Sequence, residues 1–152
     1  MLKEYLIVLI LGLLPISETR GAILYGLGMG LNIPLVFLIG VGANILTVPI
    51  IFWVLKKGGF LNLAKKLFGK RVYAKIEKDR KKFERWEELA LLLFVAIPAP
   101  FTGSWTGALV AVLLNMNKKK AFLVIALGVL IAGITTLAIG MGLIQGINLF
   151  AN

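Results

Sequence analysis

The chain has 152 residues, enough for one domain; 59% are hydrophobic, only 16% are charged and the mean hydropathy is +0.94. Of its 17 Lys and Arg, twelve lie between Lys56 and Glu88, in one block between two oily blocks. That distribution excludes an ordinary soluble domain, a disordered chain and a nucleic-acid-binding module, whose basic residues occupy a hydrated face, and it indicates an integral membrane protein despite the net charge of +10. Without Cys or His, thiolate chemistry, imidazole acid–base chemistry and the commonest metal sites are excluded. No phosphate-binding glycine loop is present. The expectation is a non-enzyme with no cofactor and no metal centre.

The oily blocks run from Tyr5 to Leu55 and from Leu89 to the C-terminus, with only Glu18, Arg20 and Lys118–Lys120 as charges. The opening stretch, residues 1–15, lacks a small-residue cleavage site after its apolar run and is read as part of the mature protein. A spanning helix needs about 20 apolar residues. Ile33–Leu55, with Pro49 as an expected kink, and Ala121–Gly142 each fit one span. Tyr5–Leu31 and Leu89–Met116 are too long for one ideal span and too short for two. Each is interrupted by loop chemistry, at Pro15–Gly21 and at Pro98–Gly107. Two short half-helices joined by a loop at membrane depth describe a re-entrant hairpin, tolerated where protein or a water-filled cavity surrounds it.

Charge supports re-entry of the second stretch. If it enters and returns, residues 56–88 and 118–120 share the cytoplasmic face, as the positive-inside rule favours. Gly21-Ala22-Ile23 matches Gly107-Ala108-Leu109, and Gly42 matches Gly128, at one common offset. The expected fold is therefore all-α. It is an inverted repeat of two re-entrant hairpins, each followed by a spanning helix (residues 1–55 and 89–152). Between them, Phe60, Leu61, Ala64, Leu67, Phe68, Val72 and Ile76 alternate with lysines and Arg71. This pattern predicts a basic amphipathic helix lying on anionic headgroups.

Charge at bilayer depth costs roughly 2.5–3.5 kcal/mol per residue, so Glu18 and Arg20 stand out as candidates. Glu18 is the only acid within either oily block and could exchange a proton or a sodium ion. The plainer alternative is a Glu18–Arg20 pair that pins the loop. Ser17 and Thr19 precede one half-helix, expected to begin near Gly21; Thr102, Gly103 and Ser104 precede the other, near Trp105. Ser and Thr suit N-caps, and two half-helix N-termini with Arg20 beside them would make an anion site. The alternative is that the hydroxyls only cap the breaks. Pro15, Pro98 and Pro100 shape the loops. Trp105 either lines the site or packs in the core. Gly26/Gly30 and Gly103/Gly107, with Gly128, Gly133, Gly140, Gly142 and Gly146, suit close helix packing. Asn44, Thr47, Thr135 and Thr136 suit hydrogen bonds between helices.

The motifs Pro15-x-Ser17-Glu18-x-Arg20-Gly21-Ala22 and Pro98-x-Pro100-x-Thr102-Gly103-x-Trp105-Thr106-Gly107-Ala108, in that order around a basic segment, resemble the small multidrug export protein family. That family is distantly similar to the DedA (SNARE-associated, VTT) membrane proteins. The resemblance implies a prokaryotic cytoplasmic-membrane protein with both motifs at hairpin tips. It also implies lipid handling: a secondary transporter or flippase for an anionic carrier such as polyprenyl phosphate, coupled to protons or sodium through Glu18. Leu24 and Phe101 depart from the family pattern, and a bulky Phe101 would narrow the second tip. Two other readings stand: a proton-coupled exporter of small cationic drugs, and a non-transporting membrane-shaping or lipid-scrambling protein. A chain with so few segments encloses little, so a homodimer is expected.

Overall fold

The computed structural model describes residues 2–57, 86–99 and 102–151, apart from the side chains of 56–57 and 147–151. The expected amphipathic helix over Phe60–Ile76, and also Pro100 and Phe101, lie outside the described residues. All regular structure among the described residues is helical: α1 (Leu2–Leu13), α2 (Glu18–Gly28), α3 (Ile33–Lys57), α4 (86–96), α5 (Ser104–Leu113) and α6 (Lys118–Ala151).

Proline and glycine punctuation sets these boundaries. Pro15 cannot donate the bond that would continue α1, and α1 stops at Leu13. The second break spans Pro98 to Gly103, between α4 and α5. In both oily stretches a short helix, a tip and a second short helix result. α3 runs unbroken through Pro49. α6 begins three residues before the expected span, because Lys118–Lys120 form its first turn, where Asn117 accepts from the Lys119 N–H at 3.0 Å.

Polar contacts place the open ends of the two helix pairs. Beyond α2, the Asn32 N–H donates to the Tyr5 hydroxyl near the start of α1, at 3.2 Å. Lys120 at the start of α6 pairs with Glu88 at the start of α4, at 3.0 Å. The chain thus returns, from 88 to 120, to the level at which it left. α3 passes both pairs. Its first half packs Val36 with Val8, Ala22 and Ile23. Its second half packs Val48, Ile51 and Phe52 with Leu91, Val95, Ala108 and Ala111. α6 runs the other way, with Ile125 in the second cluster and Gly140 reaching Leu24 and Leu27.

Close approach explains several glycines. A Cβ on Gly26 would overlap the Val36 side chain, and one on Gly107 would crowd Val95. Gly30 packs against nothing; it serves a turn, at φ +63°. α3 (Ile33–Leu55) and α6 (Lys118–Gly146) are long and apolar enough to cross a bilayer, with mean hydropathies of 2.4 and 2.6. The outward face of α6 carries Leu123, Leu127, Leu130 and Ile134, all exposed. Such a continuous apolar face suits lipid rather than water.

Candidate functional site at the junction of two helix tips

The two tips meet halfway along α3. α1 and α4 both end at a tip, where backbone carbonyls lack helical partners. Side chains from elsewhere satisfy them. At the α1 end, Ser17 Oγ donates to Leu11 O at 2.6 Å, Asn44 Nδ2 to Gly12 O at 3.2 Å and Trp105 Nε1 to Leu13 O at 3.1 Å. In the second tip, just past the end of α4, Arg20 donates to Ala99 O, to Ile97 O at 3.0 Å and to Thr102 O at 2.8 Å. It also reaches Thr102 Oγ1 at 3.0 Å. Each tip therefore caps the other: Trp105 crosses to the first, Arg20 to the second.

Glu18 sits between them. It is buried, and its carboxylate lies against Gly103, the N-cap of α5. An N-terminal turn carries partial positive charge, so an anion from the chain itself holds the place expected for a bound anion. Gly103 makes room: its backbone is extended, at φ −126°, but a Cβ there would overlap the Glu18 carboxylate. Glu18 itself has φ +49°. An L-residue in this region costs roughly 1–2 kcal/mol, and such strain is found at functional positions.

Several expectations change. The second half-helix of the first pair starts at Glu18, ahead of Gly21, so Thr19 and Arg20 lie inside it. Ser17 is helical in backbone and makes no side-chain cap; its hydroxyl is drawn back to α1. Thr19 lies 3.5 Å from Gly40 O, a long contact inside the fold. Gly103, not Thr102, is the N-cap of α5, and its N–H donates to Thr106 Oγ1 at 3.1 Å. Thr102 braces its own tip through Ile97 O and Ala99 O, at 2.7 and 2.8 Å. No ion pair joins Glu18 to Arg20 among the described residues, because the guanidinium is turned to the carbonyls. Pro15 and Pro98 flank the tips as expected. Thr135 and Thr136 bond back to Ile131 O and Ala132 O of their own helix rather than across helices.

Two residues at the junction, Asn44 and Thr47, were expected to bond between helices in preference to contacting a ligand. Thr47 Oγ1 lies 3.0 Å from Ser104 Oγ and donates to Asn44 O at 2.7 Å. Asn44, Thr47 and Ser104 are all buried. Their signal in the sequence is a polar pair three residues apart in an otherwise apolar α3. Half-buried Trp105 both caps α1 and lines a cavity of about 310 Å³ with Ile50, Ile51, Val54, Leu55, Thr106 and Leu109. The arrangement sets one carboxylate against a helix N-terminus beside an apolar cavity.

A family model described as "Putative small multi-drug export protein" matches residues 18–135. Neither a curated protein nor a solved structure matches the chain. The match starts at Glu18, the first residue of α2, and covers α2, α3, the second tip, α5 and the first half of α6 up to Thr135. The chain belongs to the small multidrug export protein family.

Proposed function

From that membership we propose that this membrane protein is a secondary transporter whose coupling group is Glu18. Its favoured cargo is an anionic amphiphile, a lipid carrier such as polyprenyl phosphate. One observation carries the reading: the Glu18 carboxylate lies against Gly103, at the N-terminus of α5. Protonation abolishes the carboxylate's charge and weakens that contact. The freed N-terminus then accepts a phosphate head, and deprotonation of Glu18 expels it. Arg20 holds the second tip and adds fixed positive charge rather than gripping the cargo directly. The apolar cavity beside Trp105 suits the hydrocarbon chain. The contacts of Tyr5 with Asn32 and of Glu88 with Lys120 support two re-entrant hairpins entering from opposite faces. They also support residues 88 and 118–120 sharing the cytoplasmic face. In this reading two copies work as a pair, because one chain encloses little.

The family description favours a second reading, export of small cationic drugs that pair with ionised Glu18. Thermal stabilisation of the purified protein separates the two, since a ligand of the folded state raises its apparent stability. Polyprenyl phosphate should stabilise wild type more as pH falls and should stabilise Glu18→Gln throughout. A lipophilic cation that stabilises wild type and loses its effect in Glu18→Gln would establish the second reading.

A further inference from the structure

We infer that Glu18, Asn44, Thr47 and Ser104 form a sodium-binding site where the two tips meet α3. The inference rests on the reading of Glu18 as coupling group and names its ion. Asn44 is 1% exposed, and its Nδ2 donates to Gly12 O. That bond orients the amide and leaves Oδ1 as a buried acceptor with no donor. Such an atom normally has a partner, and each exception calls for an explanation.

Accounting for the hydroxyl hydrogens sharpens the point. Thr47 gives its hydrogen to Asn44 O, one turn back along α3. Of the pair Thr47 and Ser104, Ser104 must then be the donor, at 3.0 Å. Both hydroxyl hydrogens are consumed, while oxygen lone pairs remain on Ser104. Ser104 directly follows Gly103, which abuts the Glu18 carboxylate. A carboxylate has room for about four donors. Arg20, two residues on from Glu18, is engaged with the carbonyls of the second tip.

The junction is thus rich in oxygen acceptors and short of hydrogens. A cation answers that deficit. Divalent ions with hard-oxygen sites take six to eight oxygens or several carboxylates and waters; a single buried carboxylate balances a monovalent ion. Hydroxyl, amide and carboxylate oxygens beside a broken helix suit sodium. Sodium would compete with the proton for Glu18 and bridge α3 to both tips.

The test is the apparent melting temperature of the full chain in detergent, in NaCl against KCl at equal ionic strength. Wild type should show a saturable rise specific to sodium. Thr47→Ser, which keeps the hydroxyl, should retain that rise; Thr47→Val, Ser104→Ala and Glu18→Gln should lose it. Thr135→Ala, outside the cluster, should keep it. Equal melting in the two salts, or an undiminished sodium rise in Thr47→Val, would overturn the inference. Adding polyprenyl phosphate in KCl separates this outcome from the transport reading. Lipid stabilisation without a sodium effect leaves a proton-coupled transporter and removes the sodium site. A sodium effect without lipid stabilisation keeps the site and removes the lipid cargo.

Discussion

Gly103→Ala gives the sharpest stability prediction, because the space it fills is already taken. The new methyl would fall on the Glu18 carboxylate. The backbone at Gly103 is extended and tolerates alanine, so the cost lies in the side chain displaced. Glu18 is pushed off the N-terminus of α5, where a buried carboxylate contributes about 1–2 kcal/mol. Alanine is also a poorer N-cap than glycine, by at most about 1 kcal/mol. The sum is about 1–3 kcal/mol. For a chain of this length each kcal/mol corresponds to about 2–4 °C, so melting should fall by about 2–12 °C. A double-mutant cycle isolates the cause. In Glu18→Ala the same substitution meets no carboxylate and should cost about 1 kcal/mol or less, the N-cap part alone. The coupling should therefore be about 1–2 kcal/mol, inside the range for residues in contact. Equal losses of melting temperature in the two backgrounds would refute the placement of Glu18 against Gly103.

Arg20→Lys should destabilise by about 2–3 kcal/mol despite its conserved charge, since one ammonium cannot replace the planar fork that bridges three carbonyls; thermal melting reads the loss. Trp105→Phe keeps the ring and removes the donor to Leu13 O, so melting should fall by the equivalent of about 1 kcal/mol. Gly26→Ala drives a methyl into Val36 and should cost about 1–3 kcal/mol; Val36→Ala in the same chain should recover part of it. At Glu18, where φ is positive, glycine should be tolerated better than alanine by about 1 kcal/mol, read by melting the two variants side by side.

Much of the fold was legible because proline and glycine breaks within uninterrupted apolar runs have few other meanings. Pro15 and the Pro98–Gly103 stretch locate both tips, and segment length identifies α3 and α6 as the long helices. Charge singled out Glu18 and Arg20, since few other residues in the oily blocks carry any. What those two charges do was not legible. Adjacency in sequence suggests that they pair, but α2 turns them to different partners: Glu18 to the start of α5, Arg20 to the carbonyls of the second tip. Orphan carbonyls exist only once the helices have ended, and which side chain reaches them depends on tertiary packing. The same holds for Ser17, drawn to Leu11 O instead of capping α2. Asn44 and Thr47 were visible as polar residues in α3, yet only folding brings Ser104 to them.

Gradient-driven transport in proteoliposomes tests the central claim, that Glu18 couples cargo movement to an ion. Wild type and Glu18→Gln would be compared for translocation of polyprenyl phosphate with and without imposed proton and sodium gradients. Wild type should accumulate the lipid on one side only when a gradient is present. Glu18→Gln should still bind it, without gradient-driven accumulation. Accumulation by Glu18→Gln at the wild-type rate under the same gradient would contradict the account.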